Sequence, residues 1–198
     1  SIRLSADGRT ASLTGEGMHL SGERMLAGVC LTQLEKGKEI ALPHTAPHAI
    51  DEMAQSHGMA VRHYGECPSR ETESDARKLA ASQLFLRDGL MGTVRLFSYL
   101  ARKQLRFAEF CRKIPAFTVD SRIIQIAVSP GVLLRRLAGK GSPAAEGMLL
   151  RQGKRTALLR PLKSGKGVQL FTECGQSETA AEIGDLFEQL VRGAGIDR

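Results

Sequence analysis

A short basic turn offers the clearest candidate for chemistry in this sequence. Residues 155–174 read RTALLRPLKSGKGVQLFTEC, in which two apolar-rich runs flank a cluster of glycine, lysine and serine. Backbone N–H groups in a glycine-containing turn can form a concave anion-binding nest, and nearby cations strengthen it. The chain has no aspartate or glutamate between Arg151 and Leu170 that could neutralise these cations. We therefore expect an anion site, formed by Arg160, Lys163, Ser164, Gly165 and Lys166.

Arg160 is the expected anchor of this site, because a guanidinium group can bind phosphate through two parallel hydrogen bonds, whereas lysines act as mobile point charges. The Walker A phosphate motif is not met, since Gly167 rather than serine or threonine follows Lys166. A solvated hairpin, whose lysines keep a sheet edge from aggregating, has the same composition. From the residues both interpretations remain open.

Histidines elsewhere in the chain do not predict a metal centre. His44 and His48 lie four residues apart with a proline between them, and His57 and His63 have no acidic partner at a ligand spacing. We expect no metal site and no cofactor.

The carboxylates likewise indicate no catalytic residue. Asp51 and Glu52 are expected to be solvated on a helix surface, and Asp7 in SADGRT is expected to form a turn. Magnesium usually takes one or two converging carboxylates besides phosphate and water. The sequence also has no G-x-S-x-G motif, so nucleophilic catalysis is not predicted.

Composition favours a basic protein with anionic small-molecule partners. The chain has 198 residues, a net charge of +7 and a pI near 9.5, which favours phosphorylated ligands or acidic proteins. With 5% aromatic residues it lacks stacking platforms, so we expect no nucleic-acid partner. There is no C-x-x-C pair, no long apolar run and no signal peptide, which predicts reduced thiols, no membrane span and a cytoplasmic location.

The first half of the chain alternates strand-like and helical segments, which predicts a parallel, doubly wound α/β domain. A hairpin turning at Asp7-Gly8 precedes it, and the opening SIRLSADG has the pattern of a strand in mid-course, so we expect a fragment of a longer protein. Predicted helices begin at Ser21, near Pro47, at Ser69 and at Asp88, and strands cover KEIALP and MAVRHY.

The pattern changes at Ile114-Pro115, because the residue before a proline leaves the helical region. The second half predicts a smaller α+β domain with a strand at FTVDSRIIQIAV, a helix from Pro130 to Leu137, a loop at GKGSPAAEG and a final helix capped by Ser177. Three further strands are predicted at residues 147–151, 156–162 and 168–174. The final helix carries a predicted buried stripe of Ala180, Ala181, Ile183, Leu186, Phe187, Leu190 and Val191.

The order of these segments resembles the C-terminal half of the α-D-phosphohexomutases, the phosphoglucomutase/phosphomannomutase family. The matching stretches are DGRTASLTGEG, HLSGERML, ALPHTAPHAIDEMAQSHGMAV, a helix beginning DG, and LLRP followed by GVQLFTE. The resemblance implies a hairpin tail of a preceding domain at residues 1–21, the family's domain three at 22–113 and its phosphate-binding domain four at 118–198. The N-terminal domains of the same polypeptide would then be missing partners of this chain.

The family's catalytic motifs are mostly absent. Anchored on LSGERML, its D-x-D-x-D-R magnesium loop falls on Leu4 to Arg9, where Leu4, Ala6 and Gly8 replace the aspartates and Arg9 is kept. KLAASQLFLRDG stands where the sugar-reading G-E-x-S-G-H loop would precede the helix at Asp88. The phosphoserine domain is also missing, so the resemblance implies a degenerate chain that is inactive by itself.

The family's phosphate loop, R-P-S-G-T-E-P, survives in part. Arg160 and Pro161 match, while Leu162 replaces the first serine, Lys163 replaces Gly or Asn, and Ser164 replaces threonine; beyond the loop, Gln169 replaces a later arginine. The resemblance implies weak binding of a hexose phosphate at this turn.

Two other functions fit the same resemblance. One is an active mutase whose serine and metal loop lie upstream. The other is a regulatory or scaffold module fused to a sugar-nucleotide pyrophosphorylase, as in proteins like mannose-1-phosphate guanylyltransferase.

Overall fold

The computed structural model describes residues 1–65, 73–152, 155–162, 164–174 and 180–195. The chain divides into two compact units, Ser1–Pro115 and Ala116–Arg198. Residues 1–21 belong to the first of these units. Their assignment to a preceding domain, and that of each unit to a particular phosphohexomutase domain, stay predictions. No helix among the described residues is long and apolar enough to cross a membrane.

The first unit opens with a small antiparallel sheet of three strands. They are β1 (Ile2–Leu4), β2 (Ala11–Gly15) and β3 (Met18–Leu20), in the order β1-β2-β3. The predicted hairpin between β1 and β2 is present, but the prediction of a two-residue Asp7-Gly8 turn is wrong. The chain reverses over the longer loop 5–10, which the Ser5 amide closes by donating to the Thr10 carbonyl oxygen at 3.0 Å.

Asp7 shapes this loop through its carboxylate, as the sequence predicts for a turn former. Its Oδ1 accepts hydrogen bonds from the Ser5 hydroxyl at 2.6 Å and from the Arg9 amide at 3.1 Å. Gly8 adopts the left-handed conformation with φ of 69°, whereas Asp7 does not. The side-chain bonds of Asp7 therefore replace the second left-handed residue that a tight two-residue turn would need.

An α/β segment follows in the first unit. Its elements are α1 (Gly22–Leu34), β4 (Ile40–Pro43), α2 (His48–Ser56), β5 (Val61–Tyr64) and α3 (Ser74–Ser82). Strands β4 and β5 pair in parallel, and α2 connects them. The three elements form a β-α-β unit, whose connection is long enough for parallel strands. The predicted doubly wound sheet is larger than the sheet observed. Within the described residues only these two strands form the parallel sheet.

The helix signals of this segment have mixed outcomes. Ile50, Met53 and Ala54 of α2 are buried as the helical spacing predicts, and Gly58 ends the helix region with φ of 71°. Ser21 occupies the cap position of α1, although its side chain makes no capping hydrogen bond. The predicted caps at Ser69 and Ser177 lie outside the described residues.

Two helices complete the first unit, α4 (Gly89–Lys103) and α5 (Phe107–Lys113). The Asp88 carboxylate caps α4 by accepting from the Met91 amide at 2.8 Å. The Gly89 amide donates to the Gly8 carbonyl oxygen at 2.8 Å, so the start of α4 rests directly on the β1–β2 loop. A side chain at Gly89 would meet the Thr10 carbonyl oxygen at 2.5 Å, which explains the glycine there.

The second unit is a five-stranded antiparallel sheet with two helices. Its elements are β6 (Thr118–Gln125), α6 (Pro130–Leu137), β7 (Gly141–Ala144), β8 (Gly147–Gln152), β9 (Arg155–Pro161), β10 (Gly167–Cys174) and α7 (Ala180–Gly195). The strand order is β6-β10-β9-β8-β7. The loop predicted at GKGSPAAEG is wrong, because Gly141–Ala144 pairs with β8 as an edge strand despite its weak strand-forming residues.

Helices α6 and α7 cover one face of this sheet and bury an apolar core. Strand β10 contributes alternate residues, and its buried members Val168, Leu170 and Thr172 face the helices. Within the predicted stripe of α7, Ile183, Phe187 and Val191 are buried, while Leu186 and Leu190 are half-buried. The prediction for Ala181 is wrong, since it is exposed on the outer side of the helix.

Replacing Gly89 tests the contact between α4 and the β1–β2 loop. We expect Gly89→Ala to lower the free energy of unfolding of the first unit by about 1–3 kcal/mol, because the added methyl overpacks against backbone that cannot move freely. The measurement is chemical denaturation followed by circular dichroism.

Gly131→Ala in the first turn of α6 is the matched control, since an added Cβ there meets nothing within 4 Å. Alanine should raise stability there by up to about 1 kcal/mol through helix propensity. Equal effects of the two substitutions would contradict the packing argument.

Candidate functional site

The predicted anion site lies at the turn between β9 and β10. The Leu162 amide donates to the Gly167 carbonyl oxygen at 2.9 Å and extends the ladder by one pair beyond the strands. The Gly165 amide then donates to the Leu162 carbonyl oxygen at 3.0 Å, which closes the tip as a β-turn. Gly165 adopts φ of 71°, a conformation in which glycine avoids steric cost.

The tip exposes several of the predicted ligand groups together. Ser164, Gly165 and Lys166 are all exposed, and the amides of Ser164 and Lys166 donate to no acceptor among the described residues. Lys163 lies outside the described residues. The described part of the tip therefore offers a hydroxyl, an ammonium group and two backbone amides to an anion.

Arg160 is placed differently from the rest of the predicted site. Its side chain lies on the sheet face away from the helices and is only 17% exposed. One guanidinium nitrogen donates to the Gln169 Oε1 at 2.8 Å, and the Gln169 amide in turn donates to the Ser121 hydroxyl at 2.9 Å. The guanidinium carbon also lies 5.5 Å from the centre of the Phe171 ring.

A carboxylate also neutralises Arg160. Glu146 Oε2 lies 3.7 Å from a guanidinium nitrogen, and the Glu146 side chain is 11% exposed. Glu146 precedes the stretch from Arg151 to Leu170, which contains no acidic residue and therefore suggested that its basic residues are not neutralised. The antiparallel pairing of β8 and β9 brings Glu146 close to Arg160. An anion bound at the tip would therefore share Arg160 with an existing partner.

The loop at residues 4–9 does not offer a magnesium donor set. Asp7 is its one carboxylate, and that carboxylate already accepts from Ser5 and Arg9. A pocket of about 40 Å³ lies between this loop, α1 and the start of α4, and Arg9 and Asp88 are among its lining residues. Asp88 is engaged as the cap of α4, so the residues present do not fit a hard divalent cation.

Sequence reasoning missed a second cluster, at the carboxyl ends of β4 and β5. We refer to His44, His48, Asp51, His63 and Glu73 as the histidine–carboxylate cluster. His63 donates from Nε2 to Asp51 Oδ1 at 2.8 Å, and His48 donates from Nδ1 to Asp51 Oδ2 at 3.2 Å. The expectation that Asp51 is solvated on a helix surface is therefore wrong, and His63 has an acidic partner that the spacing of the sequence did not reveal.

The other half of the cluster joins α3 to the strand ends. His44 donates from Nε2 to Glu73 Oε1 at 3.0 Å, and its ring stacks on His63 with centroids 5.5 Å apart. Glu73 also accepts from the Gly65 amide at 2.6 Å and pairs with Arg77 at 3.5 Å. Among the described residues no group of three or more histidine, cysteine or acidic side chains could hold a metal ion, so the cluster is a hydrogen-bonded network.

The β-α-β topology was the signal that could have revealed this cluster. The helix after a parallel strand starts near the carboxyl end of that strand, and the next strand ends at the same edge. Asp51 in the first turn of α2 and His63 near the end of β5 are thus neighbours, although they lie 12 residues apart.

The protonation of His63 follows from its partners. The hydrogen bond to Asp51 raises the pKa of His63, and this outweighs burial, which acts to lower that pKa. Its Nδ1 lies 3.4 Å from the Pro43 carbonyl oxygen, so both ring nitrogens face acceptors. Only the imidazolium form can donate to both. Burial acts to raise the pKa of Asp51, but the bonds from His63 and His48 hold it below its ordinary value.

The three described cysteines offer no reactive thiol. Cys30, Cys111 and Cys174 are buried, and burial raises the pKa of Cys30. Cys67 lies outside the described residues.

His63 should make stability depend on pH. Because its pKa is higher in the folded chain than in the unfolded chain, its contribution is complete below the unfolded pKa of about 6.5 and is lost as pH rises through the folded value. We expect Asp51→Asn to lower the pKa of His63 and to remove this part of the pH dependence. The measurements are an NMR titration of the His63 ring and unfolding at several pH values.

Glu52→Gln, one residue further along α2, is the matched control and should leave the pKa of His63 unchanged. An unaltered His63 titration in Asp51→Asn would show that this pair does not set the pKa.

Solved structures share this fold over nearly the whole chain, although the sequence matches no protein-family model and no curated protein. A phosphoglucomutase/phosphomannomutase family protein from Burkholderia thailandensis matches with a TM-score of 0.68 and 16% identity, covering 98% of this chain and 46% of that one. The Aspergillus fumigatus N-acetylphosphoglucosamine mutase, solved with GlcNAc-6P and magnesium, gives a TM-score of 0.59 and 12% identity over 98% and 49%.

A third match names the superfamily. An N-acetylglucosamine-phosphate mutase, described as a member of the α-D-phosphohexomutase superfamily and solved in its substrate complex, gives a TM-score of 0.55 and 9% identity over 96% and 48%. This chain thus spans about half the length of each of these solved chains. It has the fold of about half of a phosphohexomutase chain.

Proposed function

We propose that this chain is a phosphosugar-binding part of a cytoplasmic protein of sugar-phosphate metabolism, and that it does not catalyse phosphoryl transfer by itself. The observation that carries the proposal is the position of the β9–β10 turn. The stretch that keeps Arg160 and Pro161 of the family's phosphate loop, with Ser164 in place of its threonine, leads into an exposed hairpin tip in a chain with a phosphohexomutase-like fold.

The tip supports binding of a phosphate group through short-range contacts. Ser164 and Lys166 offer a hydroxyl and an ammonium group, and their backbone amides can donate to phosphate oxygens. Charge-assisted hydrogen bonds of this kind contribute roughly 1.5–3 kcal/mol each. After the entropy of association is subtracted, two of them give binding in about the millimolar to high-micromolar range.

Arg160 would contribute less than a free arginine. Its guanidinium group is already paired with Gln169 and close to Glu146, so a phosphate must compete with a carboxylate for the same charge. In the proposed complex, Arg160 supports the turn from the sheet face, while the tip groups make the principal contacts.

The proposal of inactivity follows from the chemistry of phosphoryl transfer. That reaction needs a cation to neutralise charge as it develops on the transferring group. The loop at residues 4–9 offers a single carboxylate, already engaged in its own turn, and the chain has no counterpart of the phosphoserine or sugar-reading motifs.

Titration with glucose 1-phosphate or mannose 1-phosphate tests the binding site. We expect amide shifts confined to residues 160–167 in NMR spectra, with affinity that falls as salt is added, because exposed charges are screened. Ser164→Ala and Lys166→Ala should each weaken binding several-fold without unfolding the chain, since both side chains are exposed.

Arg151→Ala removes an exposed cation from β8 and serves as the matched control, which should bind as the unaltered chain does. Equal shifts at every basic surface residue, or no shifts at concentrations well above a roughly millimolar dissociation constant, would leave the tip as a solvated hairpin.

A coupled assay tests the absence of catalysis. Residues 1–198 should show no glucose or mannose phosphate isomerisation above a buffer blank, with or without magnesium and a hexose bisphosphate activator. Turnover that follows the protein through successive purification steps would refute this part of the proposal, and it would leave the binding result unaffected.

A further inference from the structure

Four basic side chains gather where α1 ends beside α4. Lys36 and Lys38 follow the end of α1, and Arg95 and Arg102 belong to α4. The two arginines are seven residues apart, which is about two helical turns, so they share one face of α4. We refer to these four residues as the basic cluster.

A hydrogen bond between the two helices places the cluster together. The Tyr99 hydroxyl donates to the carboxylate of Glu35, the residue that caps the carboxyl end of α1. Arg95 and Arg102 lie four residues before and three residues after Tyr99, which is the spacing of neighbours on a helix surface. They therefore border the end of α1, where Lys36 follows Glu35.

The charges of the cluster act on one another. Partial loss of hydration lowers the pKa of Lys36, and the positive charges of the other three cluster residues lower it further. The cluster therefore carries a repulsion in the folded chain that a bound anion would relieve.

The acidic residues on either side of Lys36 and Lys38 are engaged elsewhere. Glu35 accepts from Lys113 at 3.1 Å in addition to its bond from α4. Glu39 pairs with Arg62 at 2.9 Å. In the part of the chain that the structure describes, no acidic side chain pairs with a residue of the basic cluster.

Arg95 shows that the cluster is more than a set of helix-end charges. Cations are favoured at the carboxyl ends of helices, which accounts for Lys36, Lys38 and Arg102. Arg95 lies in the middle of α4, where the helix dipole gives no such benefit. Its guanidinium carbon lies 3.7 Å from the centre of the Phe85 ring. A guanidinium group stacked in this way keeps its N–H donors in the plane of the group, and among the described residues none of them has an acceptor.

We propose that the basic cluster is a second anion site and that its ligand carries two adjacent phosphate groups, as inorganic diphosphate and its esters do. A single phosphate group carries about −1.5 to −2 charges at neutral pH, whereas the cluster presents four basic side chains. Two adjacent phosphates bring the opposite charges closer to balance, and each guanidinium group can bind phosphate oxygens through paired hydrogen bonds. The cluster belongs to the first unit and the β9–β10 tip to the second, so this inference does not rest on the proposed phosphosugar site.

Titration with pyrophosphate tests the cluster, and orthophosphate is the single-phosphate comparison. In buffer without divalent cations we expect pyrophosphate to shift the amide signals of residues 36–38 and 95–102 in NMR spectra. It should bind about 10-fold more tightly than orthophosphate, because the second phosphate adds a charge-assisted contact. The shifts at the cluster should persist in Lys166→Ala, which separates this site from the β9–β10 tip.

Neutral variants show whether these cations bind the ligand. Lys38→Gln and Arg102→Gln should each weaken pyrophosphate binding about 5- to 10-fold. Both side chains are exposed, so the melting temperature should stay the same or rise slightly as repulsion is relieved. Lys78→Gln is the matched control and should bind as the unaltered chain does, because Lys78 is an exposed lysine of the same unit that already lies 3.5 Å from Asp75.

Four outcomes would overturn the inference. One is unchanged binding in both Lys38→Gln and Arg102→Gln, and another is pyrophosphate shifts confined to residues 164–167. A third is equal affinity for pyrophosphate and orthophosphate, because adjacent phosphates would then not be what the cluster recognises. The fourth is a single-stranded oligonucleotide that binds more tightly than pyrophosphate and shifts residues well outside the cluster, because nucleic acid would then be the partner.

Discussion

The register of β10 between its two neighbours is the constraint on which the second unit depends. All eight residues of β10 pair with β6, and Val168 to Thr172 also pair with β9. Because side chains alternate along a strand, burying Val168, Leu170 and Thr172 against the helices forces Gln169 and Phe171 onto the opposite face. Arg160 pairs with Gln169 across β9 and β10 and is carried to that face with it. A slip of one residue would expose the core and move Arg160 beneath the helices, so the turn geometry and the core packing are fixed together.

This register also decides what kind of anion site the turn can be. It separates the predicted residues into an arginine on the sheet, close to Glu146, and a tip whose hydroxyl, amides and lysine face solvent. A paired and largely buried guanidinium group costs free energy to withdraw from its carboxylate, whereas exposed groups at the tip lose only hydration. In the proposed site this arrangement favours a shallow contact with the outer oxygens of a phosphate over a deep bidentate contact, so the strand pairing itself is a reason to expect weak affinity.

Local patterns in the sequence predicted most helices and strands, because helical spacing, proline and glycine act over a few residues. The helix Pro130–Leu137 and the strands around the basic turn are confirmed with nearly the predicted bounds. The predictions were wrong where residues that are distant in the sequence determine the local structure. Gly141–Ala144 is a strand because β8 offers it a partner, not because its residues favour one. Asp51 and His63, and likewise Arg160 and Glu146, are brought together by topology, which composition and spacing do not reveal. The tip of the turn could be proposed from sequence, since glycine and serine specify such a turn locally.

The shape of the loop at residues 5–10 depends on hydrogen bonds within the chain. In this chain the loop is held by bonds that need no metal. The Ser5 amide donates to the Thr10 carbonyl oxygen, and the Asp7 carboxylate accepts a hydrogen bond from the Ser5 hydroxyl. The Gly8 carbonyl oxygen accepts from the first amide of α4. Because these bonds are mostly made by the backbone, the hairpin and its contact with α4 do not depend on the side chains at positions 4, 6 and 8.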